Sequence, residues 1–426
     1  MDKFPPPNYI MVPSKLPGFE IYAPAEKKEK VQTITEFKCP NCGAVTAYSI
    51  KQSGLICEHC GYQEKVQATV VGKAAEENEF SMANLERASH GWGQERKDLR
   101  CLSCGAEINI PPDSMAATCT FCGSNKVVQA SANQNNLRPK YLVPFKVDQE
   151  KCQQIAREWV GKSWMVPKTM KNYNSFDPFT AIYLPYWTFD ADTKASWRAE
   201  VGHTVNVSYY DSSTKSMKTR TKIEWRWESG VAGVNVDDLL ITGTERVSAR
   251  HLGNVGGFNL SAMVNYQPDF LAGLQAKGYD RTLEQAWELA REVMRESTKK
   301  ACMKQASTDM IRNFSMNMTS SNESWRYILL PVFLAAYRFN EKIYKAVVNG
   351  QTGTISGQRP VDWKKVWLVL ALIMILGLIS GFAGLAAIAS SSGDNLLLGV
   401  VLFGIMIGCV IAVISILVNA NKEGAE

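Results

Sequence analysis

Cys39-Pro-Asn-Cys42-Gly43 with Cys57-Glu-His-Cys60-Gly61, and Cys101-Leu-Ser-Cys104-Gly105 with Cys119-Thr-Phe-Cys122-Gly123, are two copies of one pattern. Fourteen residues separate the paired cysteines in each copy. Four thiolates offered as two C-x-x-C pairs close a tetrahedral zinc site, and a closed site is structural rather than catalytic. Disulfides or free buried thiols are the competing readings of any cysteine pair. The repeat in register argues against both, as do Gly43, Gly61, Gly105 and Gly123. A zinc knuckle turns the chain sharply behind its second sulfur, and glycine enters the left-handed conformation without steric cost. The pattern predicts two zinc ribbons and two zinc ions. The ligands are Cys39, Cys42, Cys57 and Cys60 in the first, and Cys101, Cys104, Cys119 and Cys122 in the second. His59 lies between two ligands, too close to act as a fifth.

The C-terminus carries a different signal. Val366 to Ala389 and Leu396 to Val418 are uncharged apolar runs, each longer than the ~20 residues that cross a hydrocarbon core. Only Ser390-Ser391-Ser392-Gly393-Asp394-Asn395 separates them, which favours a transmembrane hairpin over buried core helices. Lys364, Lys365 and Lys422 flank the pair while the connecting loop has no Lys or Arg. The positive-inside rule therefore predicts both termini in the cytoplasm. Trp363 and Trp367 stand where an interfacial aromatic belt belongs. Thiolate zinc sites suit the same reducing compartment. Met1-Asp2-Lys3-Phe4 runs into Pro5-Pro6-Pro7 with no apolar core, so no signal peptide is expected. Gly377/Gly381 and Gly404/Gly408 are G-x-x-x-G pairs that let helix backbones approach closely, within the hairpin or between protomers.

The remaining chain divides around these landmarks. A disordered Pro-rich tail is expected over 1–36, ribbon one over 37–66 and a connector over 67–98. Phe80, Ala83, Leu85 and Ala88 suggest a short helix in that connector. Ribbon two follows over 99–130, a polar linker over 131–138, a cytosolic α+β domain over 139–360, the hairpin over 366–418 and a cytoplasmic tail over 419–426. In the middle domain Trp187, Phe189, Ala191, Thr193, Ala195, Trp197, Ala199 and Val201 alternate with polar residues, the mark of a long strand with one buried face. After the Asp211–Thr214 turn, Thr219, Thr221, Ile223, Trp225 and Trp227 alternate likewise, predicting an antiparallel neighbour with its tryptophans in the core. Ile328–Phe339 and Ile343–Val348 form a second pair. Asp148 is expected to cap one helix. Thr282 with Gln285 makes a capping box for another, whose Leu283, Ala286, Trp287, Ala290, Val293 and Met294 line one face.

Three sites invite a functional reading. Ala156 to Ser163 resembles a relaxed phosphate loop, but it lacks the first glycine and falls within the Asp148 helix. Lys215, Lys218, Arg220, Lys222 and Arg226, interleaved with Trp225 and Trp227, read as a solvated sheet face or as a nucleic-acid surface. Asp190 and Asp192 read as an exposed pair or as a cation site. The ribbons are near neutral: three Lys/Arg against three Asp/Glu between Glu36 and Val66, two against two between Leu99 and Val128. Each tetrathiolate zinc adds a formal −2, taking the chain's +6 to about +2. Phosphate neutralisation dominates non-specific nucleic-acid affinity, so the ribbons suit protein docking better. His59, His90, His203 and His251 form no metal-ligand pair, and no nucleophile elbow, H-E-x-x-H or dinucleotide fingerprint is present. Cys152, Cys302 and Cys409 read as core or membrane residues.

The ribbon pair, Tyr183-Leu-Pro-Tyr-Trp-Thr-Phe-Asp-Ala-Asp192, Leu330-Pro-Val-Phe-Leu334, Val348-Asn-Gly-Gln-Thr-Gly353 and the terminal hairpin together resemble a family of bacterial membrane-anchored TFIIB-type zinc-ribbon proteins. Its members are often labelled primosomal or helicase-like, although no ATP-binding core is present here. The resemblance implies a link to phage-shock-type and SPFH membrane-stress proteins. The expectation is a non-enzymatic, membrane-anchored zinc-ribbon scaffold that recruits protein partners, alone or as an oligomer. In that picture the ribbons reach outward into the cytosol. The alternative is a membrane-tethered nucleic-acid-binding protein.

Overall fold

Trp187, Phe189, Ala191, Thr193, Ala195, Trp197, Ala199 and Val201 are all buried, as their alternation predicts. They lie on the longest strand of the protein and organise its core. The computed structural model describes residues 9–12, 21–24, 37–72, 75–79, 97–110, 119–121, 124, 126–130, 137–171, 179–213, 215–245, 247, 249–340, 342–389 and 393–424. The connector helix expected at Phe80–Ala88, most of the 131–138 linker and Cys122 lie outside the described residues.

The tail expected to be disordered holds an antiparallel pair, β1 (Tyr9–Val12) with β2 (Ile21–Pro24). Tyr9, Ile10, Val12, Ile21 and Tyr22 are strand-favouring residue types. Ribbon one is a three-stranded sheet of β3 (Ala47–Ser49), β4 (Gly54–Ile56) and β5 (Gln63–Lys65). The connector contributes β6 (Asn78–Glu79). Ribbon two supplies β7 (Lys97–Cys101), β8 (Glu107–Ile110) and β9 (Val127–Ala130). The body then runs through β10 (Tyr141–Leu142), helix α1 (Gln149–Lys162) and the single turn α2 (Lys168–Lys171). The long strands β11 (Thr180–Asp211) and β12 (Ser216–Thr242) follow. Next come α3 (Ala249–Asn254), β13 (Val264–Asn265), β14 (Gln275–Ala276) and α4 (Leu283–Met303). The body closes with β15 (Ile311–Phe339), β16 (Lys342–Asn349) and β17 (Ile355–Gly357), before the apolar helices α5 (Trp363–Ala389) and α6 (Gly393–Gly424).

β11 lies between β12 and β15, antiparallel to both, and β15 continues antiparallel to β16. One face of this sheet packs on α4. The capping box is present, with the Gln285 amide 3.4 Å from Thr282 Oγ1 and the Thr282 amide 3.0 Å from Gln285 Oε1. Leu283, Ala286, Trp287, Ala290 and Met294 are buried as expected, while Val293 is exposed. Thr193 and Thr298 share a hydrogen bond at 2.7 Å across this contact, and Trp197 Nε1 donates to Gln305 Oε1 at 2.8 Å. Asp148 caps α1 through the Lys151 amide at 2.8 Å. That helix contains Ala156 to Lys162, so the amides of the phosphate-loop look-alike are committed to helical bonding.

The second alternating run departs from expectation. It pairs with β11 as predicted, but Trp225 and Trp227 are 37% and 52% exposed. The cause is a bulge in β12. Ile241 opposes Trp187 and Leu239 opposes Phe189, whereas beyond the bulge Val236 opposes Ala191 and Trp227 opposes Glu200. A one-residue slip moves every later side chain to the other face. The tryptophans therefore leave the face that α4 covers. Pairing of β11 with β15 ends at Val201–Ile311, and from Gly202 to Asp211 the described partner of β11 is β12. At ~3.3 Å per residue this leaves a two-stranded arm about 30 Å long.

Both ribbons are seated on the body rather than reaching away from it. Tyr48 and Leu55 of ribbon one join the core cluster of Phe145, Phe270 and Phe333. The Tyr48 ring lies 5.4 Å from Phe270, and its amide donates to Ala272 O at 2.9 Å. Ribbon two joins the main sheet, where Asn109 of β8 pairs with Ala276 of β14. Its Cys101, Ile108, Ile110, Cys119 and Phe121 pack with Leu184, Ile328 and Leu330. Residues too few to bury their own core gain one by docking.

α5 and α6 pack antiparallel as a pair, with Ser380 Oγ donating to Leu402 O at 2.7 Å. A Cβ at Gly377 would lie 3.1 Å from Cys409 Cβ, and one at Gly381 2.7 Å from Met406 Sδ. Gly404 and Gly408 have nothing within 4 Å of a Cβ. The first G-x-x-x-G thus serves the contact between these helices and the second does not. Their base is tied to the body: Ser163 Oγ donates to Glu423 at 2.9 Å, Lys365 Nζ to Val166 O at 3.1 Å, and the Asp362 amide to Met165 O at 2.8 Å.

Candidate metal centres

Three of the cysteine pairs, those starting at Cys39, Cys57 and Cys101, begin on or just after a strand or bridge and turn back at once. The Gly43, Gly61 and Gly105 amides donate to the carbonyls of Cys39, Cys57 and Cys101 at 2.8, 2.9 and 2.8 Å. All three glycines are left-handed, with φ of 74°, 75° and 69°. These are the turns that the repeated glycines predict. In ribbon one the turns bring the sulfurs of Cys39, Cys42, Cys57 and Cys60 within 4.8 Å of one another. Cys39 and Cys60 are 3.5 Å apart, as are Cys42 and Cys57. In ribbon two Cys101, Cys104 and Cys119 meet the same limit, with Cys104 and Cys119 at 3.8 Å. Cys122 lies outside the described residues.

The donor geometry fits an ion. A Zn–S bond of about 2.3 Å gives a tetrahedron with an S–S edge of about 3.8 Å, whereas a disulfide would need about 2.05 Å. The proton affinities of the sulfurs also diverge. The Ala44 amide pulls Cys42 down, but burial and the sulfurs of Cys60, Cys57 and Cys39 together outweigh it and push the thiol up to about 12. Cys60, supported chiefly by the Tyr62 amide, falls to about 6. Crowded thiols cannot all ionise until a cation compensates them. Both clusters suit a zinc-like metal.

The two centres differ in setting. Cys42 and Cys60 are exposed at the rim of ribbon one, while Cys39 and Cys57 are buried. In ribbon two Cys101 and Cys119 are buried in a body core cluster and Cys104 is half-buried. Lys277 is fully buried beneath it, bonded to Asp280 at 2.7 Å and Glu107 O at 3.3 Å, with the Phe121 ring centroid 5.9 Å away. Thr120 Oγ1 donates to Gln275 at 2.8 Å. Ribbon two is part of the body's framework.

Other constellations have different outcomes. His203 Nε2 lies 3.0 Å from Glu228 and 3.4 Å from Ser307 Oγ, a grouping that the sequence does not reveal. Both partners meet the same ring nitrogen, whereas a histidine that activates a serine holds the hydroxyl and the orienting carboxylate on opposite nitrogens. Cys152 and Cys302 are buried in the body, and burial pushes both thiols up. Cys409 lies on the α5–α6 contact. Of the basic run, Lys218 pairs with Asp211 and Arg226 with Glu224. Arg312 lies over Trp225 at 4.1 Å and Arg198 over Trp227 at 4.2 Å. Asp190 and Asp192 separate: Asp192 accepts from Asn235 and Asn322, while Asp190 joins Asp237 and Asp238.

The chain is similar to Uncharacterized protein YdjG of Bacillus subtilis (strain 168), 24% identical over 338 residues, which is 78% of this chain and 92% of that protein. No family model matches the chain, and no solved structure matches it.

Proposed function

We propose that this protein is a non-enzymatic, membrane-anchored zinc-ribbon scaffold. The observation that carries the proposal is continuity from the candidate metal centres to the apolar helices. Ribbon one docks through Tyr48, ribbon two enters the main sheet at Ala276, and α5 and α6 are bonded at their base to the segment after α1. Each of α5 and α6 holds a 27-residue segment, Trp363–Ala389 and Leu397–Glu423, that is long and apolar enough to cross a bilayer. In this reading they form a transmembrane hairpin, with Lys364, Lys365 and Lys422 holding both ends on the cytoplasmic side. The cysteine clusters hold one zinc each, with Cys122 as the fourth ligand of the second. Zinc then sets rigid modules on a rigid body, and partners meet the projecting β11–β12 arm. Resemblance makes phage-shock-type and SPFH membrane proteins the first partners to seek.

The exposure of Trp225 and Trp227 favours a second reading, a membrane-tethered nucleic-acid binder that uses the arm. Aromatic faces beside cationic side chains are what single strands stack upon. The arginines already over both rings stand against it. Purification from native membranes in mild detergent, with and without nuclease, separates the two. A nuclease-resistant set of membrane proteins supports the scaffold; nucleic acid, or partners lost on nuclease treatment, supports the alternative.

A further inference from the structure

The bulge that turns the tryptophans outward also gathers carboxylates. Asp237 and Asp238 of β12 together oppose the single residue Asp190 of β11, between the Phe189–Leu239 and Ala191–Val236 pairs. Carboxylate oxygens of Asp190, Asp237 and Asp238 lie within 4.8 Å of one another. Oxygens bound to one calcium-sized ion at about 2.3–2.6 Å can be at most about 5 Å apart, so the three could share one ion. Against them stands the buried guanidinium of Arg326, 2.9 Å from Asp238 and 3.8 Å from Asp190, and also bonded to Glu77, the residue before β6. Among the described residues this one guanidinium meets three carboxylates, those of Asp190, Asp238 and Glu77, so acid outnumbers base around it.

A second observation is independent of that charge. Thr188 is fully buried, and its Oγ1 makes no hydrogen bond. It leaves β11 two residues before Asp190, on the same face, and stands directly across from Arg326. Asp190 Oδ2 is likewise buried without a hydrogen bond. A buried oxygen left without a partner loses the water it had in the unfolded chain and gains nothing in return, so such oxygens call for a ligand. An alcohol and carboxylates with no nitrogen or sulfur donor among them form a hard ligand set.

We propose that Asp190, Asp237 and Asp238 hold a hard, oxygen-seeking divalent cation, with Thr188 completing the site directly or through a bound water. This centre is chemically separate from the cysteine clusters. It ties the β12 bulge to β11 and, through Arg326 and Glu77, to the connector that joins the two ribbons. An ion here stiffens the root of the arm.

The test uses the full-length, zinc-loaded protein in detergent. Terbium(III) is titrated in as the probe, with Trp187 and Trp325 as nearby sensitisers, and is then competed with calcium and magnesium. The expected result is saturable sensitised emission at one ion per chain, displaced by calcium. Asp237→Asn, at an exposed position, should weaken binding at least tenfold with zinc content unchanged, and Thr188→Val should weaken it too. Absence of saturable emission up to millimolar ion overturns the proposal. So does equal affinity in the Asp237→Asn variant, which decides the matter even if Asp190→Asn fails to fold.

Discussion

Replacing Tyr48 by alanine should release ribbon one from the body without emptying its metal site. The Tyr48 side chain is almost wholly buried against Phe270 and its neighbours, yet it is no cysteine ligand. A buried aromatic removes about 150–250 Å² from water, which at ~25 cal/mol/Å² is about 4–6 kcal/mol. Truncating a large aromatic in a core costs about 3–5 kcal/mol. Taking 3 kcal/mol as the loss, the undocked population rises by about a hundredfold, since each 1.4 kcal/mol is tenfold. The Tyr48 amide bond to Ala272 O and the exchange protection of residues 37–65 report docking directly. Hydrogen exchange by mass spectrometry should show faster exchange across that segment and around Phe270–Leu274, with ribbon two unchanged and zinc content preserved. If protection over 37–65 stays at the wild-type level, the seating of the ribbon does not depend on this contact and the reasoning fails. If zinc is lost instead, the ribbon is not an independent metal module.

Three further outcomes follow from the packing. Gly54→Ala places a Cβ inside the Glu64 carbonyl of the neighbouring strand, so it should cost ribbon one about 1–3 kcal/mol, read as lowered resistance to zinc chelators. Gly381→Leu collides with Met406 and should separate α5 from α6, whereas Gly404→Leu, with nothing near its Cβ, should leave that contact intact. Thermal stability in detergent distinguishes the two. Deleting residues after Arg359 should move the protein to the soluble fraction; persistent membrane association would mean another anchor.

The cysteine repeat made all eight proposed ligands legible, because ligand spacing and the turn glycines are local properties of the chain, and the sulfurs of seven are grouped in the structure. The eighth, Cys122, falls outside the described residues. Strand β11 was equally legible, since its period-two burial is a local property too. The outward turn of Trp225 and Trp227 was not. Their alternation is regular, but which face it serves is set by the bulge at Asp237–Asp238, ten residues and more along the strand. Periodicity reports amphipathicity and says nothing of register. The same bulge hid the Asp190–Asp237–Asp238 grouping, which in sequence pairs Asp190 with the wrong neighbour, Asp192. The docking of both ribbons was also invisible, because it rests on contacts such as Tyr48–Phe270 and Asn109–Ala276 between residues far apart in the chain.

Zinc content by mass spectrometry tests the central claim most directly, measured on the purified wild-type protein and on Cys39→Ser and Cys101→Ser. The account predicts two zinc ions per wild-type chain and the loss of one in each variant. Near two zinc ions per chain in both variants would contradict it.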